Sequence, residues 1–213
     1  MVRFRYFVKH NKGTFASHKV PVTVFFVLYI MVAGAILPVA IHKNKLYFLF
    51  GREGPTDETP GWADFGGGVE NGEDPYKTAM REGGEELTGF LGEGKDIEKL
   101  VKAGGGFYKF VHDTYNIHIF LIEYDEKLPV YFNRSRNFLM DRMDNAYLCK
   151  TKLFEKAEIG WFTCQDMRKR IKEYRSFYQD IVKELLDEMP KIEAFLRKNQ
   201  KKLSKSNRTK KNR

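Results

Sequence analysis

The sequence predicts an α+β or three-layer α/β/α domain. Three observations carry this. Short runs rich in Val, Ile, Phe and Tyr are bounded by Gly, Pro, Asn and Asp, a stretch from Pro75 to Leu87 places apolar residues at helical spacing, and a second helical pattern starts at about Glu173. Apolar residues are 42% of the 213 and aromatic residues 15%, which supports a hydrophobic core in one domain of ordinary size. Cys149 and Cys164 make neither a metal-ligand pair nor a disulfide framework, which suits a reducing, cytoplasmic setting.

In chain order, residues 1–30 read as an N-terminal extension of uncertain structure, 31–197 as the folded domain and 198–213 as a disordered basic tail. Met31 offers an alternative start of translation. Val20 to Ile41 runs 22 residues without a charge, long enough to cross a bilayer as a helix, and Arg3, Arg5, Lys9, Lys12 and Lys19 precede it. Pro21 and Pro38 lie inside it, and Val, Ile, Phe and Tyr dominate, so extended chain is preferred to a membrane helix.

A strand then ends near Ile41, His42–Lys45 turns, and a second strand covers Leu46–Phe50. Gly51–Gly68 is a Gly/Pro/Asp-rich loop, and Gly92–Lys99 reads as a charged linker. Two strands follow with a turn near His112–Asp113, and in the second Tyr115, Ile117, Ile119 and Leu121 alternate with their neighbours. Residues 133–150 are expected to be irregular with short helical turns. Glu158–Cys164 reads as a strand followed by a basic turn. The final helix carries Phe177, Ile181, Leu185, Met189, Ile192, Phe195 and Leu196 on one side, with Pro190 bending or dividing it.

The net charge of +9 is uneven. The last 16 residues hold eight Lys or Arg and no acid, and without them the net charge falls to about +1. Two readings stay open: weak attraction to RNA or another polyanion, or a solubilising or nuclear-targeting tail. The five histidines, His10, His18, His42, His112 and His118, show no ligand spacing, and His118 reads as structural. Trp62, Phe65, Tyr108 and Trp161 could stack on a base, though packing is the preferred role for each.

The chemistry concentrates in Gly66–Phe90, "GGGVENGEDPYKTAMREGGEELTGF". Asp74 is placed to cap a helix and Pro75 fits its first turn. Tyr76, Ala79, Met80, Gly83 and Leu87 make one apolar stripe, and Glu82, Glu85 and Glu86 share a neighbouring face. Carboxylates that close repel one another, and each glycine costs a helix about 1 kcal/mol relative to alanine. A helix that accepts both suggests a divalent cation, and oxygen-only donors favour Mg²⁺ or Mn²⁺.

Gly67, Glu73, Arg81, Glu82, Glu85 and Glu86 fall at the spacings of G-x5-E-x7-R-E-U-x-E-E-x-G-U, where U is apolar, and the lead-in "GGGVENGE" includes Glu70. On these residues the chain resembles the Nudix hydrolase family, with a general resemblance to Nudix proteins of large DNA viruses. The likeness spans roughly Val32–Trp161. It implies a mixed β-sheet with the Nudix loop-helix inside the α/β/α sandwich, and it leaves a nuclear or viral-factory location as alternatives to the cytoplasm. There are departures. Gly83 stands at an apolar position, Gly89 comes one place late so that the helix exit is expected to change or loosen, and Phe65 stands where Pro is common.

The resemblance implies hydrolysis of the pyrophosphate in a nucleoside diphosphate linked to another group, with Mg²⁺ or Mn²⁺ as cofactor. It makes Glu82, Glu85 and Glu86 metal ligands together with the Gly67 carbonyl. Glu82 is the first choice of base, Glu85 an alternative, and Glu73 and Arg81 are structural supports. Members often add an acid from outside the motif, for which Glu155 and Glu158 are candidates. Capped mRNA, a diphosphoinositol polyphosphate, or a catalytically silent binding module are the alternatives. The partner expected first is a nucleotide-type small molecule. Oligomeric state is not readable from the sequence.

Overall fold

A computed structural model of the chain describes residues 32–211 apart from 55–56, 71, 145–146, 148–150 and 152, with side chains to residue 200. The N-terminal extension, including Met31 and the first part of the apolar run, lies outside the described residues, as does Cys149. The elements in order are β1 (Ala33–His42), β2 (Lys45–Glu53), β3 (Gly61–Ala63), β4 (Phe65–Gly68), α1 (Pro75–Glu86), α2 (Gly94–Ala103), β5 (Phe107–His112), β6 (Tyr115–Ile122), α3 (Lys127–Met140), β7 (Glu158–Phe162), α4 (Cys164–Lys169), α5 (Tyr178–Asp187) and α6 (Met189–Lys211).

One mixed sheet organises the domain. β1 pairs in parallel with β6, while β1–β2, β1–β4, β2–β3, β2–β7 and β5–β6 are antiparallel. This central position explains the uncharged run. From Ala35 to Ala40, β1 is buried on both faces, so it needs no polar side. The second part of the suspected membrane span is therefore a sheet strand, and among the described residues no helix is long and apolar enough to cross a membrane. Pro38 fits because it lies at a changeover: β1 pairs with β4 through Ile36 and with β2 from Val39, so a missing N–H there breaks neither ladder. The β1–β2 turn is the two-residue type expected of a tight hairpin, with Lys43 and Asn44 at φ 46° and 62°.

β1 and β2 part beyond Val39↔Phe48, and Gly61–Gly68 enters the opening, pairing first with β2 as β3 and then with β1 as β4. The expected loop over 51–68 is thus largely strand. Helices cover both faces. α1, α2 and α3 enclose a core that includes Ile36, Leu49, Phe65, Ile97, Phe120, Phe132 and Ile159. α5 and α6 enclose the other, with Phe48, Phe50, Trp62, Tyr178, Ile181, Leu185 and Ile192.

Other expectations need correcting. The charged linker is mostly α2, whose Ile97 and Val101 are buried. The irregular stretch from 133 begins as α3, a 14-residue helix starting at Lys127. The basic turn after β7 is the short helix α4, closed by a capping box between Thr163 and Asp166. The C-terminal helix divides at Glu188, as Pro190 suggested, and Pro190 sits in the first turn of α6. Past residue 198 the backbone of α6 runs on to Lys211.

Candidate active site

α1 starts where the sequence says it should. Asp74 accepts the Lys77 N–H at 2.9 Å, and Pro75 occupies the first turn. It ends in a Schellman-type cap: the Thr88 N–H reaches the Glu85 carbonyl at 2.8 Å, and the Gly89 N–H reaches that of Gly84 at 3.0 Å. Thr88 (φ 51°) and Gly89 (φ 73°) both take left-handed backbone, and the Thr88 hydroxyl accepts the Phe154 N–H at 3.1 Å. The late glycine therefore does not loosen the exit.

Both glycines inside α1 are explained by close approach. A Cβ on Gly83 would lie 2.3 Å from Ile36 Cδ1 and 3.2 Å from Ile97 Cδ1, so this glycine lets α1 settle onto β1 and α2. A Cβ on Gly84 would meet the backbone of Glu93 and Gly94 at 3.3–3.4 Å, where α2 starts across α1. Seated this way, α1 presents its carboxylates to the glycine strand β4. A Cβ at Gly67 would stand 2.5 Å from Glu82 Oε1, and the Gly66 N–H donates to Glu86 Oε2 at 2.8 Å.

Arg81 ties the acids together. Its guanidinium forks onto Glu73, with Nε to Oε1 at 3.0 Å and Nη2 to Oε2 at 3.1 Å. Nη1 reaches Glu82 Oε1 at 2.7 Å and Glu85 Oε2 at 3.4 Å, and Glu70 lies 3.7 Å from Nη2. The Thr78 hydroxyl donates to Glu73 at 2.8 Å. Hydrogen bonds from Arg81 and then Thr78 lower the Glu73 pKa to about 2, so this carboxylate stays ionised.

Glu86 differs from the other two. It is buried, 6% exposed, and Lys156 Nζ lies 2.8 Å from its Oε1. Lys156, 1% exposed, also bonds Glu53, whose carboxylate takes Arg175 Nη1 at 2.8 Å. Burial pushes the Glu86 pKa up to about 8 while the ammonium pulls the other way, and a donor on each oxygen, Lys156 Nζ and the Gly66 N–H, favours the carboxylate form. Burial would lower the Lys156 pKa, but Glu86 and Glu53 outweigh it and hold the ammonium charged.

Nearby, Asp64 joins β3 to β4 and is 1% exposed. Tyr115 donates to its Oδ1 at 2.6 Å, and burial raises its pKa to about 7.

Of the residues singled out in the sequence, Gly67, Glu73, Arg81, Glu82 and Glu85 come together on one side of α1. Glu86 turns inward. Glu155 is exposed, and Glu158 pairs with Arg52 at 3.6 Å in a strand where it alternates with the core residue Ile159. Glu53, an acid from outside the motif, is linked to Glu86 through Lys156, and neither it nor Lys156 stood out in the sequence. The only signal was position: Glu53 lies just past the strand read at Leu46–Phe50, and Lys156 lies between the two suspected acids.

Trp62 and Phe65 are core, Tyr108 donates to Glu188 at 2.7 Å, and the Trp161 indole donates to the Asp125 carbonyl at 2.8 Å. His118 is buried against Tyr76 and Phe107, and burial lowers its pKa.

Among the described residues no three His, Cys, Asp or Glu side chains converge on one point. Glu82 and Glu85 nonetheless fit a hard cation. They offer oxygen donors only, Glu82 lies against β4, and Arg81 can release both acids while keeping its fork on Glu73.

An acidic helix clamped by arginine over a glycine strand, in a mixed sheet between helical layers, defines a Nudix fold. The chain belongs to the NUDIX domain family, whose model matches residues 32–185. Among solved structures it is similar to a bifunctional NMN adenylyltransferase/ADP ribose pyrophosphatase from Francisella tularensis, at 16% identity over 74% of this chain and 41% of that one, with a TM-score of 0.48. It is also similar to a C. elegans Ap4A hydrolase (15% identity, 78% and 98% covered, TM-score 0.42). A third is the NUDIX domain of Shewanella oneidensis NrtR, solved with ADP ribose (9% identity, 75% and 88% covered, TM-score 0.43). Likenesses of this strength do not choose a substrate. No curated protein matches the chain.

Proposed function

We propose that this Nudix domain hydrolyses the pyrophosphate of a nucleoside diphosphate linked to another group, using Mg²⁺ or Mn²⁺. The single observation that carries the proposal is the gathering of Glu82 and Glu85 on one helix face beside Gly67, under an Arg81–Glu73 clamp. Glu82 and Glu85 would hold the metal, with the Gly67 carbonyl and Glu86 as further donors implied by the family motif. The bound cation offsets phosphate charge and acidifies a water ligand.

The chain's own residues do the rest. Arg81 keeps Glu73 ionised and fixes the approach to α1. Glu82, or Glu85, takes the proton from the attacking water. Gly66 and Gly67 let β4 lie tightly against Ala35 of β1 and Glu82 of α1, where any side chain would collide.

The test is a turnover panel with each metal: nucleoside triphosphates, dinucleoside polyphosphates, ADP-ribose, capped RNA and a diphosphoinositol phosphate, for wild type and Glu85→Gln. Turnover of a small nucleotide that the variant loses is expected. No turnover of any compound by wild type would reject the enzyme and leave a silent binding module. The basic residues from Lys198 favour a second reading, capped RNA or another large polyanion. Deleting 198–213 would then lower activity on capped RNA and spare small nucleotides.

A further inference from the structure

Lys156 is where the site departs from an all-acid design. It enters from the segment before β7, and its backbone is pinned nearby, with the Ala157 N–H on the Arg52 carbonyl at 2.7 Å. Its side chain ends between two carboxylates from distant parts of the chain, Glu86 of α1 and Glu53 at the end of β2. Arg175 secures Glu53 from the other side and is itself held by the Thr59 hydroxyl at 2.7 and 3.1 Å and by Asp57 at 3.4 Å. Glu86 is locked on both oxygens, by the ammonium at 2.8 Å and by the Gly66 N–H at 2.8 Å. Glu82 and Glu85, by contrast, are hydrogen-bonded among the described residues only by the Arg81 guanidinium, which can release both and stay on Glu73.

A buried ammonium is tolerated only when its charge is met, and here two carboxylates meet it. A divalent ion approaching Glu86 would face that ammonium within a few ångströms, inside the core, where like charges are poorly screened.

We infer that Lys156 is a resident cation of the acidic helix: its ammonium holds Glu86 in place of a divalent ion, leaving Glu82, Glu85 and the Gly67 edge of β4 to hold metal. The inference rests on the proposed function and narrows its ligand set. Lys156 is a positioning residue in this scheme. It fixes the Gly66–Glu86 bond, and so the distance between β4 and α1 across which Gly67 and Glu82 face each other.

Mn²⁺ binding to the full chain tests this without reference to turnover. Free Mn²⁺ is counted by electron paramagnetic resonance during titration of wild type, Lys156→Met and the double variant Lys156→Met/Glu86→Gln. Lys156→Met should bind one more Mn²⁺ than wild type, and the double variant should lose that extra ion. Equal counts for wild type and a folded Lys156→Met would overturn the inference. Because removing Lys156 leaves two buried acids that can unfold the chain, a crystal structure of wild type soaked in Mn²⁺ decides independently. Lys156 should remain within hydrogen-bond distance of Glu86, with the metal on Glu82 and Glu85. Manganese bonded to Glu86, with Lys156 displaced, would overturn the inference and leave the proposed function standing. Wild type that binds no Mn²⁺ at all would overturn both.

Discussion

Gly83→Ala tests the seating of α1 on the sheet. In an isolated helix the change would help by about 1 kcal/mol, since alanine is the better helix former. In this fold the new methyl meets Ile36 Cδ1 at 2.3 Å, Ile36 Cγ1 at 2.8 Å and Ile97 Cδ1 at 3.2 Å. Carbon atoms rest at about 3.5–4.0 Å, so α1 or Ile36 must move by more than 1 Å. Ile36 and Ile97 are both 0% exposed, so neither can swing into open space. Overpacking of this kind costs about 1–3 kcal/mol, which cancels the propensity gain and leaves a net loss of up to about 2 kcal/mol. For a domain of this size that is a fall in Tm of up to about 8 °C.

Gly84→Ala is the control. Its methyl meets the backbone edge of α2 at 3.3–3.5 Å, a mild crowding that offsets only part of the same propensity gain, so it should lie between wild type and about 1 kcal/mol more stable. Urea denaturation of both variants gives the comparison. Ile36→Val removes the atom nearest the clash, so the double variant with Gly83→Ala should be less destabilised than the sum of the singles by at least about 0.5 kcal/mol. Gly83→Ala more stable than wild type by the full propensity gain of about 1 kcal/mol, or strictly additive with Ile36→Val, would refute the close-approach account.

Three further outcomes follow from the site. Glu73 has a folded pKa of about 2 against 4.5 unfolded, so its contribution is present above pH 4.5 and is lost as pH falls toward 2; the stability gap between wild type and Glu73→Gln should shrink on acidification, read as urea midpoints from pH 6 to pH 3. Asp64 runs the other way. With a folded pKa of about 7 against 3.8, its contribution is full at low pH and declines as pH rises through 7, so Asp64→Asn should gain on wild type between pH 5 and pH 8.5. Adding Mg²⁺ should slow hydrogen exchange at amides 81–87, because a cation relieves the repulsion among Glu82, Glu85 and their neighbours; unchanged protection would count against metal at α1.

What could be read from the sequence was local. The Asp74 cap, the apolar stripe of α1, the turn at Lys43–Asn44 and the break before Pro190 each lie within a few residues and follow from backbone preferences. The motif carboxylates were legible for the same reason. α2 was missed because glycines at 92 and 94 and a charged outer face hid the spacing of Ile97, Leu100 and Val101. α3 was hidden because Pro129 lies in its first turn, and Val130, Tyr131 and Phe138 are exposed while Phe132 is buried, so its apolar residues make no clean stripe. Gly84 had no explanation until α2 was known to cross it. Glu53 and Lys156 stand 103 positions apart, and no local pattern could have paired them.

The parallel pairing of β1 with β6 also governs how the chain is made. Ala33 finds its partner at Tyr115, about eighty residues later, so the ladder at the middle of the sheet joins segments far apart in the chain. On the ribosome the β1–β2 hairpin can close early, but β1 keeps an open, wholly apolar edge until β6 emerges. Nascent chains halted before Ile122 should therefore need a chaperone or precipitate. The acidic helix, already synthesised by then, would have no finished sheet to dock on.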